Sequence, residues 1–423
     1  MSGNNKHMVV PQLRFPEFRN AAEWATYNLG QLSKIVTEKV GDNDCIPYTI
    51  TSGVGLISQQ EKLGRTIAGN SLKNYILLQH NDFAYNKSAT KAYPQGYIAC
   101  YLGHERAAVP NSILTCFRPN LNLVIPAFLN NFFIANLHGK WLKNRIAVGA
   151  RANGALQVNN DDLMKVSVPL PTGSQSLSEQ KKIADCLSSL DDLLTLEVQK
   201  LYVLKKYKKG LLQQLFPRTG ESLPRMRFPE FLSRGAWFPK SIGNSCQTFS
   251  GGTPSSTNKT YYGGEIPFIR SAEIQKYKTE LYLTKKGLEN STAKMVKKGD
   301  VLVALYGANS GDVSLSKING AINQAILCLR HESNNAFLYQ YLIHKKEWII
   351  TTLLQGGQGN LSGEIIKSIK IFFPQPVEQQ KIADFLLVLD DKIDAQTKKI
   401  DIIRKHKKGL MQQLFPVVSE MTT

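Results

Sequence analysis

Cysteines and long apolar runs are scarce in this 423-residue sequence. The six cysteines are scattered, with no Cys-x-x-Cys pair and no closely spaced histidines, so the sequence shows no zinc signature and favours a reducing compartment. No segment approaches the roughly 20 uninterrupted apolar residues of a membrane helix, because three asparagines interrupt the most apolar stretch, Val124 to Leu137. The first ten residues lack the apolar core of a signal peptide. These absences predict a cytoplasmic protein with no metal site and no membrane partner.

Motifs of nucleotide and DNA chemistry are also missing. There is no Gly-x-x-x-x-Gly-Lys-Ser/Thr loop for ATP, and Gly53-x-Gly55 lacks the third glycine and the acidic residue of a dinucleotide site. The sequence contains neither the Asn/Asp-Pro-Pro-Tyr/Phe tetrapeptide of amino-methyltransferases nor a convincing Asp…Glu-x-Lys nuclease cluster. Spacing alone assembles no Ser/His/Asp or Cys/His set. We therefore expect no catalysis by this chain and no cofactor bound to it.

The sequence has an excess of positive charge. Its 52 Lys and Arg residues against 33 Asp and Glu give a formal net charge of +19. Such an excess favours a polyanionic partner, because a lysine or arginine near a phosphate releases condensed counterions. The 42% hydrophobic and 20% charged content is ordinary for globular proteins, and the length fits two or more domains. A basic protein without a nucleic-acid partner is the less favoured interpretation.

The chain contains an internal duplication. The hexamer at 13–18, Leu-Arg-Phe-Pro-Glu-Phe, recurs at 226–231 as Met-Arg-Phe-Pro-Glu-Phe, 213 positions later (227 − 14), and Trp24 recurs as Trp237. The nonamer at 209–217, Lys-Gly-Leu-Leu-Gln-Gln-Leu-Phe-Pro, recurs at 408–416 with one change, 199 positions later (409 − 210). The region between the two elements therefore differs in length by 14 residues (213 − 199). The chain is two copies of an anchor, a variable domain and a helix.

The repeated helical element carries apolar residues in alternating steps of three and four. Polar residues fill the gaps in this pattern, Glu197 and Lys208 in the first copy and Gln396 and Lys407 in the second. A 3.5-residue period held this long predicts a coiled coil, whose polar positions help to fix the register. The predicted seam is Ile183, Leu187, Leu190, Leu194, Leu201, Leu204, Leu211 and Leu215, then Ile382, Leu386, Leu389, Ile393, Ile400, Ile403, Leu410 and Leu414.

The ends of the helices are marked as well. Ser176 and Glu179 have the spacing of a capping box, and lysines crowd the last turns before Pro217. Gly210 and Gly409 each weaken a helix by about 1 kcal/mol relative to alanine, so their presence in both copies favours close approach of another helix from a partner. About 37 residues at 1.5 Å each make a rod of roughly 55 Å.

The best-matched partner for each apolar stripe is its own duplicate. Antiparallel pairing of the two helices predicts a spacer rod with a variable domain near each end. The alternative is that each helix seals its own domain, since helices usually pack locally.

The variable regions, 24–171 and 237–376, have the pattern of mixed α/β domains. Runs rich in β-branched and aromatic residues predict strands at 97–102, 113–117, 301–306 and 325–329, and helices are predicted at 127–142 and 336–354. The strand order cannot be derived from these patterns.

Loops of the kind that contact nucleic acid lie in both variable regions. The loop 250–259 is small and hydroxyl-rich and can offer amides and hydroxyls to phosphates, and seven lysines between 276 and 298 suit phosphate contact or a solvated face. Arg, Lys, Asn and Gln also match base edges in the major groove, although each one alone equally suits an ordinary solvated surface. The candidate DNA contacts are Tyr85, Lys87, Lys91, Arg145, Arg151, Asn153, Thr253, Ser255, Lys259, Arg270, Asn309, Gln355, Gln358 and Asn360.

Over residues 11–416 the arrangement resembles the specificity subunit of type I restriction-modification systems. The resemblance rests on the duplicated hexamer and nonamer, the Glu-Gln-x-Lys-Ile-Ala segments at 179–184 and 378–383, the Pro-x-Pro junctions at 169–171 and 374–376, and the Gly-Gly-Thr-Pro loop at 251–254. The first domain lacks that loop, so we expect it to read a different half-site.

The resemblance implies an α+β fold with two pseudo-symmetric mixed α/β target-recognition domains separated by an antiparallel two-helix coiled coil. The target-recognition domains would span 11–171 and 224–376, and the helical spacers 176–217 and 377–416.

The resemblance also implies a non-catalytic function. Each domain would read one half of a bipartite double-stranded DNA target, while the helices set the spacer between the halves. Two adenine-methylating modification subunits would dock on the helices, and two ATP-dependent restriction subunits, which are motor-nucleases, would complete the complex. S-adenosylmethionine, ATP and magnesium would belong to those partners.

Two other classes of function fit parts of the sequence. A stand-alone DNA-binding regulator of the same pseudo-two-fold shape would bind its site tightly without partners. A purely structural coiled-coil scaffold would leave two large basic domains unexplained.

Overall fold

In the computed structural model, residues 8–143, 156, 158–354 and 361–416 are described. The chain forms two compact units: unit 1 comprises residues 1–196 and 399–423, and unit 2 comprises residues 197–398. These units are larger than the variable domains expected from the sequence, because each also contains parts of both long helices.

The described part of unit 1 forms three sheets. Its strands are β1 (Met8–Val9), β2 (Trp24–Asn28), β3 (Ser33–Ile35), β4 (Ile46–Thr51), β5 (Gly55–Ser58), β6 (Ile76–Leu78), β7 (Phe83–Asn86), β8 (Tyr97–Cys100), β9 (Ala107–Val109), β10 (Leu114–Pro119) and β11 (Ser167–Pro171). The sheets have the orders β1-β2-β11, β3-β10-β7-β8 and β5-β4-β9-β6. Neighbouring strands are antiparallel except β4 and β9, which are parallel. The strands expected at 97–102 and 113–117 are therefore confirmed as β8 and β10.

Short helices cover these sheets, and one expected helix is divided. The helices are α1 (Leu29–Leu32), α2 (Gln59–Leu63), α3 (Pro126–Ile134), α4 (Leu137–Leu142) and α5 (Asn160–Met164). The prediction of one helix over 127–142 was wrong, because Asn136 adopts a left-handed conformation with φ of 56°. Asparagine tolerates this region better than most residues, so the chain turns there and starts α4.

Unit 2 repeats the strand order of unit 1. After the long helix α6 (Ser176–Leu215) come β12 (Phe238–Ser241), β13 (Cys246–Ser250), β14 (Tyr262–Ile269), β15 (Leu281–Leu283), β16 (Lys294–Val296), β17 (Val301–Ala304), β18 (Val313–Leu315), β19 (Gly320–Ile322), β20 (Ile326–His331) and β21 (Lys370–Phe373). The sheets have the orders β12-β21, β13-β20-β17-β18 and β15-β14-β19-β16, with β14 and β19 parallel. Apart from β1, each strand of unit 1 has a counterpart ten places later, so the duplication seen in the sequence extends to the topology.

The helices of unit 2 complete its core. They are α7 (Ile242–Ser245), α8 (Lys285–Glu289), α9 (Asn335–Trp348), α10 (Gly363–Ser368) and the long α11 (Pro376–Leu414). The helix expected at 336–354 is α9 followed by a π-helical turn, Ile349–Leu354. The strands expected at 301–306 and 325–329 are β17 and β20.

The two long helices run antiparallel within each unit. In unit 1, Ile183 and Leu187 of α6 share a buried cluster with Leu414 and Phe415 of α11. In unit 2, Leu211 and Leu215 share a cluster with Ile382 and Leu386. Every position of the predicted apolar seam is buried or half-buried, whereas most other helix positions are exposed.

The polar positions of the seam hydrogen-bond across the helix pair. In unit 1, Lys407 pairs with Asp191, and in unit 2, Lys208 pairs with Asp390. These are the same pair in the two copies, since both partners are shifted by 199 positions (390 − 191 and 407 − 208). In unit 2, Gln396 Nε2 also donates to Glu197 Oε2 over 2.6 Å. Buried polar contacts of this kind specify the register of a helix pair.

The repeated hexamers tie each unit to the start of a long helix. Arg14 pairs with Glu179 in the first turn of α6, and Arg227 pairs in the same way with Glu378 in the first turn of α11. The capping box predicted from Ser176 and Glu179 was wrong. The Ser176 hydroxyl instead donates to the Pro171 carbonyl oxygen over 2.6 Å, and Arg14 Nε donates to Glu179 Oε1 over 2.7 Å.

Unit 1 is expected to lose stability in mild acid because of a buried histidine in α4. Burial lowers the pKa of His138 to about 4, with a backbone contact to Gly96 offsetting part of the effect. The pKa of histidine in the unfolded chain is about 6.5. The neutral buried His138 therefore contributes its full share to the free energy of unfolding above pH 6.5, and this share is lost as the pH falls towards 4. Between pH 7 and pH 5 the loss is about 2 kcal/mol. Urea unfolding of the wild type and of His138→Leu at both pH values measures it, and identical pH slopes for the two proteins would contradict the assignment.

Candidate nucleic-acid interface

Three connections of unit 2 meet at one edge of its sheets. They follow β13, β17 and β19, and we call residues 251–259, 305–311 and 323–325 together the unit 2 loop edge. Thr253 Oγ1 donates to Gln324 Oε1 over 2.6 Å, which joins the first connection to the third. The Leu305 amide donates to the Ala325 carbonyl oxygen over 2.8 Å, which joins the second to the third. Segments far apart in the sequence therefore present their side chains together.

Two glycines allow the first connection to approach the sheet this closely. A Cβ on Gly251 would lie 1.8 Å from the Ile322 carbonyl oxygen, and a Cβ on Gly252 would lie 1.8 Å from Thr292 Oγ1. No real Cβ contact is that short, so any other residue at either position would displace the loop. The two glycines of the Gly-Gly-Thr-Pro sequence thus permit the position that Thr253 occupies.

The rest of the first connection is ordered by its own side chains. The Tyr262 hydroxyl donates to the Pro254 carbonyl oxygen over 2.7 Å. Asn258 Oδ1 accepts from the Thr260 amide, and the hydroxyls of Ser255 and Thr257 lie 2.8 Å apart. Thr253, Ser255 and Lys259 remain exposed. The Thr253 hydroxyl hydrogen is already donated to Gln324, so the exposed Ser255 and Lys259 are the members of this set that suit contacts to phosphate oxygens.

Unit 1 has a similar edge formed by the connections after β7 and β9. We call residues 87–96 and 110–113 the unit 1 loop edge. The Lys87 amide donates to the Ile113 carbonyl oxygen over 3.1 Å, and the Leu156 amide donates to the Lys87 carbonyl oxygen over 2.8 Å. Lys91 is exposed, whereas burial lowers the pKa of the half-buried Lys87.

Two of the predicted contacts already have partners within the protein. The Tyr85 side chain is fully buried in the unit 1 core, and its hydroxyl donates to the Gln95 carbonyl oxygen over 2.8 Å. Arg270 donates from Nε to Glu273 Oε2 over 3.0 Å and also pairs with Glu280, and these bonds raise its pKa. Both stay predictions, but this structure does not favour them, because Tyr85 is buried in the core and because two carboxylates already pair with the guanidinium of Arg270.

The remaining candidates have different outcomes. Asn309 lies half-buried in a 3-10 turn of the unit 2 loop edge, and its main-chain oxygen accepts from the Asp312 amide over 2.9 Å. Six predicted contacts lie outside the described residues: Arg145, Arg151, Asn153, Gln355, Gln358 and Asn360.

Two exposed carboxamides that the sequence analysis did not single out also lie on the loop edges. Gln324 follows β19, and Asn111 follows β9. They are 213 positions apart (324 − 111), which is the offset of the duplicated hexamers. That offset is the signal in the sequence by which this pair could have been found.

The surface of unit 2 adds positive charge near these strands. All seven lysines of the stretch 276–298 are exposed, at positions 276, 278, 285, 286, 294, 297 and 298. Among the described residues, no cluster of three His, Cys, Asp or Glu side chains has an arrangement for a metal ion. No helix in the described ranges is both long enough and apolar enough to span a bilayer.

The family model and the related proteins that match this chain all belong to one family. The model of the type I restriction modification DNA specificity domain matches twice, over residues 22–206 and 235–405. A protein of Methanocaldococcus jannaschii, provisionally named the type I restriction enzyme MjaX specificity subunit, is 28% identical over 332 residues, which is 76% of this chain and 74% of that protein. The type I restriction enzyme HindI specificity subunit of Haemophilus influenzae is 20% identical over 84% of this chain and 90% of its own length.

A solved structure shares the fold. The crystal structure of a type I restriction-modification S subunit from M. genitalium superimposes with a TM-score of 0.62 at 15% identity, covering 97% of this chain and all of that one. A structure from a study of type I system assembly gives a TM-score of 0.55 at 17% identity over 93% of this chain and 97% of that one.

Proposed function

Because the chain belongs to the type I restriction-modification DNA specificity family, with matches in both of its repeats, we propose that each repeat reads one half of a divided duplex DNA target. The observation that carries this proposal is the duplicated loop edge. Connections that follow equivalent strands converge in each unit, with different side chains in the two. Two related but non-identical reading surfaces suit a target with two different halves.

The chemistry of the two edges favours DNA. Hydroxyls and lysines that suit phosphates lie beside carboxamides that match base edges in the major groove. The net charge of +19 adds long-range attraction to a polyanion. The different side chains of the two edges provide the readout, and the charge provides much of the affinity.

The finer features of the function are proposals drawn from the family. The paired helices set the spacer between the two halves and dock two modification subunits, and two restriction subunits complete the assembly. S-adenosylmethionine, ATP and magnesium bind to those partners, and this chain supplies recognition without catalysis. A cytoplasmic location follows from the same proposal.

The experiment that tests this function is to map methylated adenines in the DNA of a host that expresses the chain with its modification partner. A two-part motif with a fixed spacer is the expected result. Absence of any motif in the presence of assembled complex would overturn the proposal. The stand-alone regulator is not favoured, since the family match covers both repeats.

Two helix glycines provide a test of partner docking. Apart from the nearby backbone of its own helix, a Cβ on Gly210 or Gly409 would meet no atom of the described residues within 4 Å, so their packing does not require glycine there. Gly210→Ala with Gly409→Ala is expected to stabilise the helices by about 1 kcal/mol each and to weaken assembly with the modification subunit by more than tenfold. Thermal unfolding and analytical ultracentrifugation measure the two effects. Ser188→Ala, at an exposed position of α6, is the matched control, and unchanged assembly of the glycine variant would exclude this docking role.

A further inference from the structure

We propose that Gln324 is a specificity-determining residue that reads an adenine through its carboxamide. This inference rests on the proposed function and assigns one base contact within it. It follows from the position of Gln324, the hydrogen bond that holds its side chain, and the recurrence of a carboxamide in unit 1.

The main chain holds Gln324 at the apex of a tight turn between β19 and β20. The Ile326 amide donates to the Asn323 carbonyl oxygen over 3.3 Å, and the Ala325 amide donates to Asn323 Oδ1 over 3.2 Å. The Ala325 carbonyl oxygen accepts from the Leu305 amide. The backbone on both sides of Gln324 is therefore fixed, although the side chain is exposed.

The side chain of Gln324 is held at its oxygen. Thr253 Oγ1 donates to Oε1 over 2.6 Å, and the two glycines before Thr253 allow the loop to approach the sheet closely enough for this bond. Within the described part of the chain, one lone pair of Oε1 and both Nε2 hydrogens make no hydrogen bond. A long exposed side chain normally loses rotamer entropy when it binds, and the Thr253 bond reduces this loss. An exposed glutamine held in this way is arranged to recognise a ligand.

Adenine is the base that matches this group. A glutamine carboxamide accepts from adenine N6 and donates to N7 in the major groove, a bidentate pair that other bases do not offer. In unit 1 the equivalent turn carries Asn111, which is also exposed and which has the same pairing chemistry on a shorter side chain. The recurrence of a carboxamide at the same offset, on loops that otherwise differ, favours a common recognition function.

The test is the methylation motif of variants in the assembled modification complex. With Gln324→Ala, one adenine position in the half-site read by unit 2 is expected to become degenerate, and the half-site read by unit 1 stays unchanged as an internal control for folding and assembly. With Gln324→Glu, the preference at that position is expected to move towards cytosine, whose N4 donates to carboxylates.

Thr253→Val is expected to weaken the preference for adenine, whereas Thr253→Ser retains it. Gln275→Ala, an exposed carboxamide that lines a cleft with Asp390, should leave the motif unchanged.

A binding measurement covers the case in which Gln324→Ala abolishes methylation. Competition between duplexes that differ at that one base pair should give about tenfold or greater discrimination for the wild-type complex and nearly none for Gln324→Ala or the isosteric Gln324→Met. Retention of full discrimination by either variant, or an unchanged motif, would overturn the role of Gln324 without touching the proposed function. Failure of the proposed function would appear differently, as the absence of any two-part motif in the wild type.

Discussion

Replacement of Arg14 by alanine is expected to lower the free energy of unfolding of unit 1 by about 3 kcal/mol or more. Arg14 donates from Nε and Nη2 to the two carboxylate oxygens of Glu179, each over 2.7 Å. The Glu179 side chain is 1% exposed. Among the described residues, the variant therefore leaves this buried charge with the indole of Trp24, whose Nε1 lies 3.1 Å from Oε1, as its remaining partner. Removal of one member of a buried pair costs far more than the pair contributes, because the remaining charge is no longer compensated.

Hydrogen exchange of the full-length chain measures this effect and localises it. The Arg14→Ala variant should lose protection in unit 1, whereas Arg227→Ala, which breaks the equivalent pair with Glu378, should lose it in unit 2. Lys181→Ala removes an exposed pair with Asp185 and should change stability by less than about 1 kcal/mol. The double variant Arg14→Met with Glu179→Gln should recover much of the loss, since it buries no charge. Equal effects of Arg14→Ala and Lys181→Ala would contradict this explanation.

Exchange of residues 24–171 for the corresponding segment of another family member is expected to replace one half of the DNA target and leave the other half unchanged. The two ends of this segment are neighbours, because Trp24 of β2 lies opposite Pro171 of β11 in the antiparallel pair. Both joins therefore fall at one place beside the start of α6. The segment contains the whole unit 1 loop edge, whereas the unit 2 loop edge lies within 237–376.

Methylation mapping of the chimaera with its modification partner provides the readout. The segment taken from the other family member should have tryptophan at position 24, because Trp24 Nε1 donates to Glu179. Exchange of 237–376, whose ends also meet where Phe238 lies opposite Phe373, is the matched control and should replace the other half. A change in both halves after a single exchange would show that the units do not read independently.

Periodic patterns in the sequence predicted the long helices well. The alternation of three and four continues through both copies, so the apolar seam and its polar gaps could be assigned residue by residue. The pattern could not supply the partners of those polar residues. Asp191 and Lys407 are separated by 216 positions, and nothing local in the sequence links them. The capping-box prediction was wrong for the same reason, because the Glu179 carboxylate bonds to Arg14, 165 residues away.

The candidate interface was predicted less well than the helices. Tyr85 lies near the end of a strand and precedes lysines, a pattern typical of a ligand loop. Both faces of β7 are buried, however, because Phe83 and Tyr85 pack in one cluster and Ala84 in another. Arg270 is neutralised by Glu280 from another segment, which spacing does not reveal. Gln324 was missed because its significance depends on contact with Thr253, 71 positions earlier. The predicted loops remain predictions, and the surroundings of their individual side chains depend on tertiary contacts that spacing does not reveal.

The division of the long helices between the two units has a consequence for synthesis of the protein. Met411, Leu414 and Phe415 belong to the same buried cluster as Trp24 and Leu29, so the first unit includes residues that leave the ribosome long after residue 196. At about 5–20 residues per second, the 219 residues between 196 and 415 (415 − 196) take roughly 10 to 45 seconds to make. During that time unit 1 lacks Met411, Leu414 and Phe415, and the part of its apolar core that they cover is exposed to water. A stop codon shortly before position 411 would therefore leave the core of the first unit incomplete.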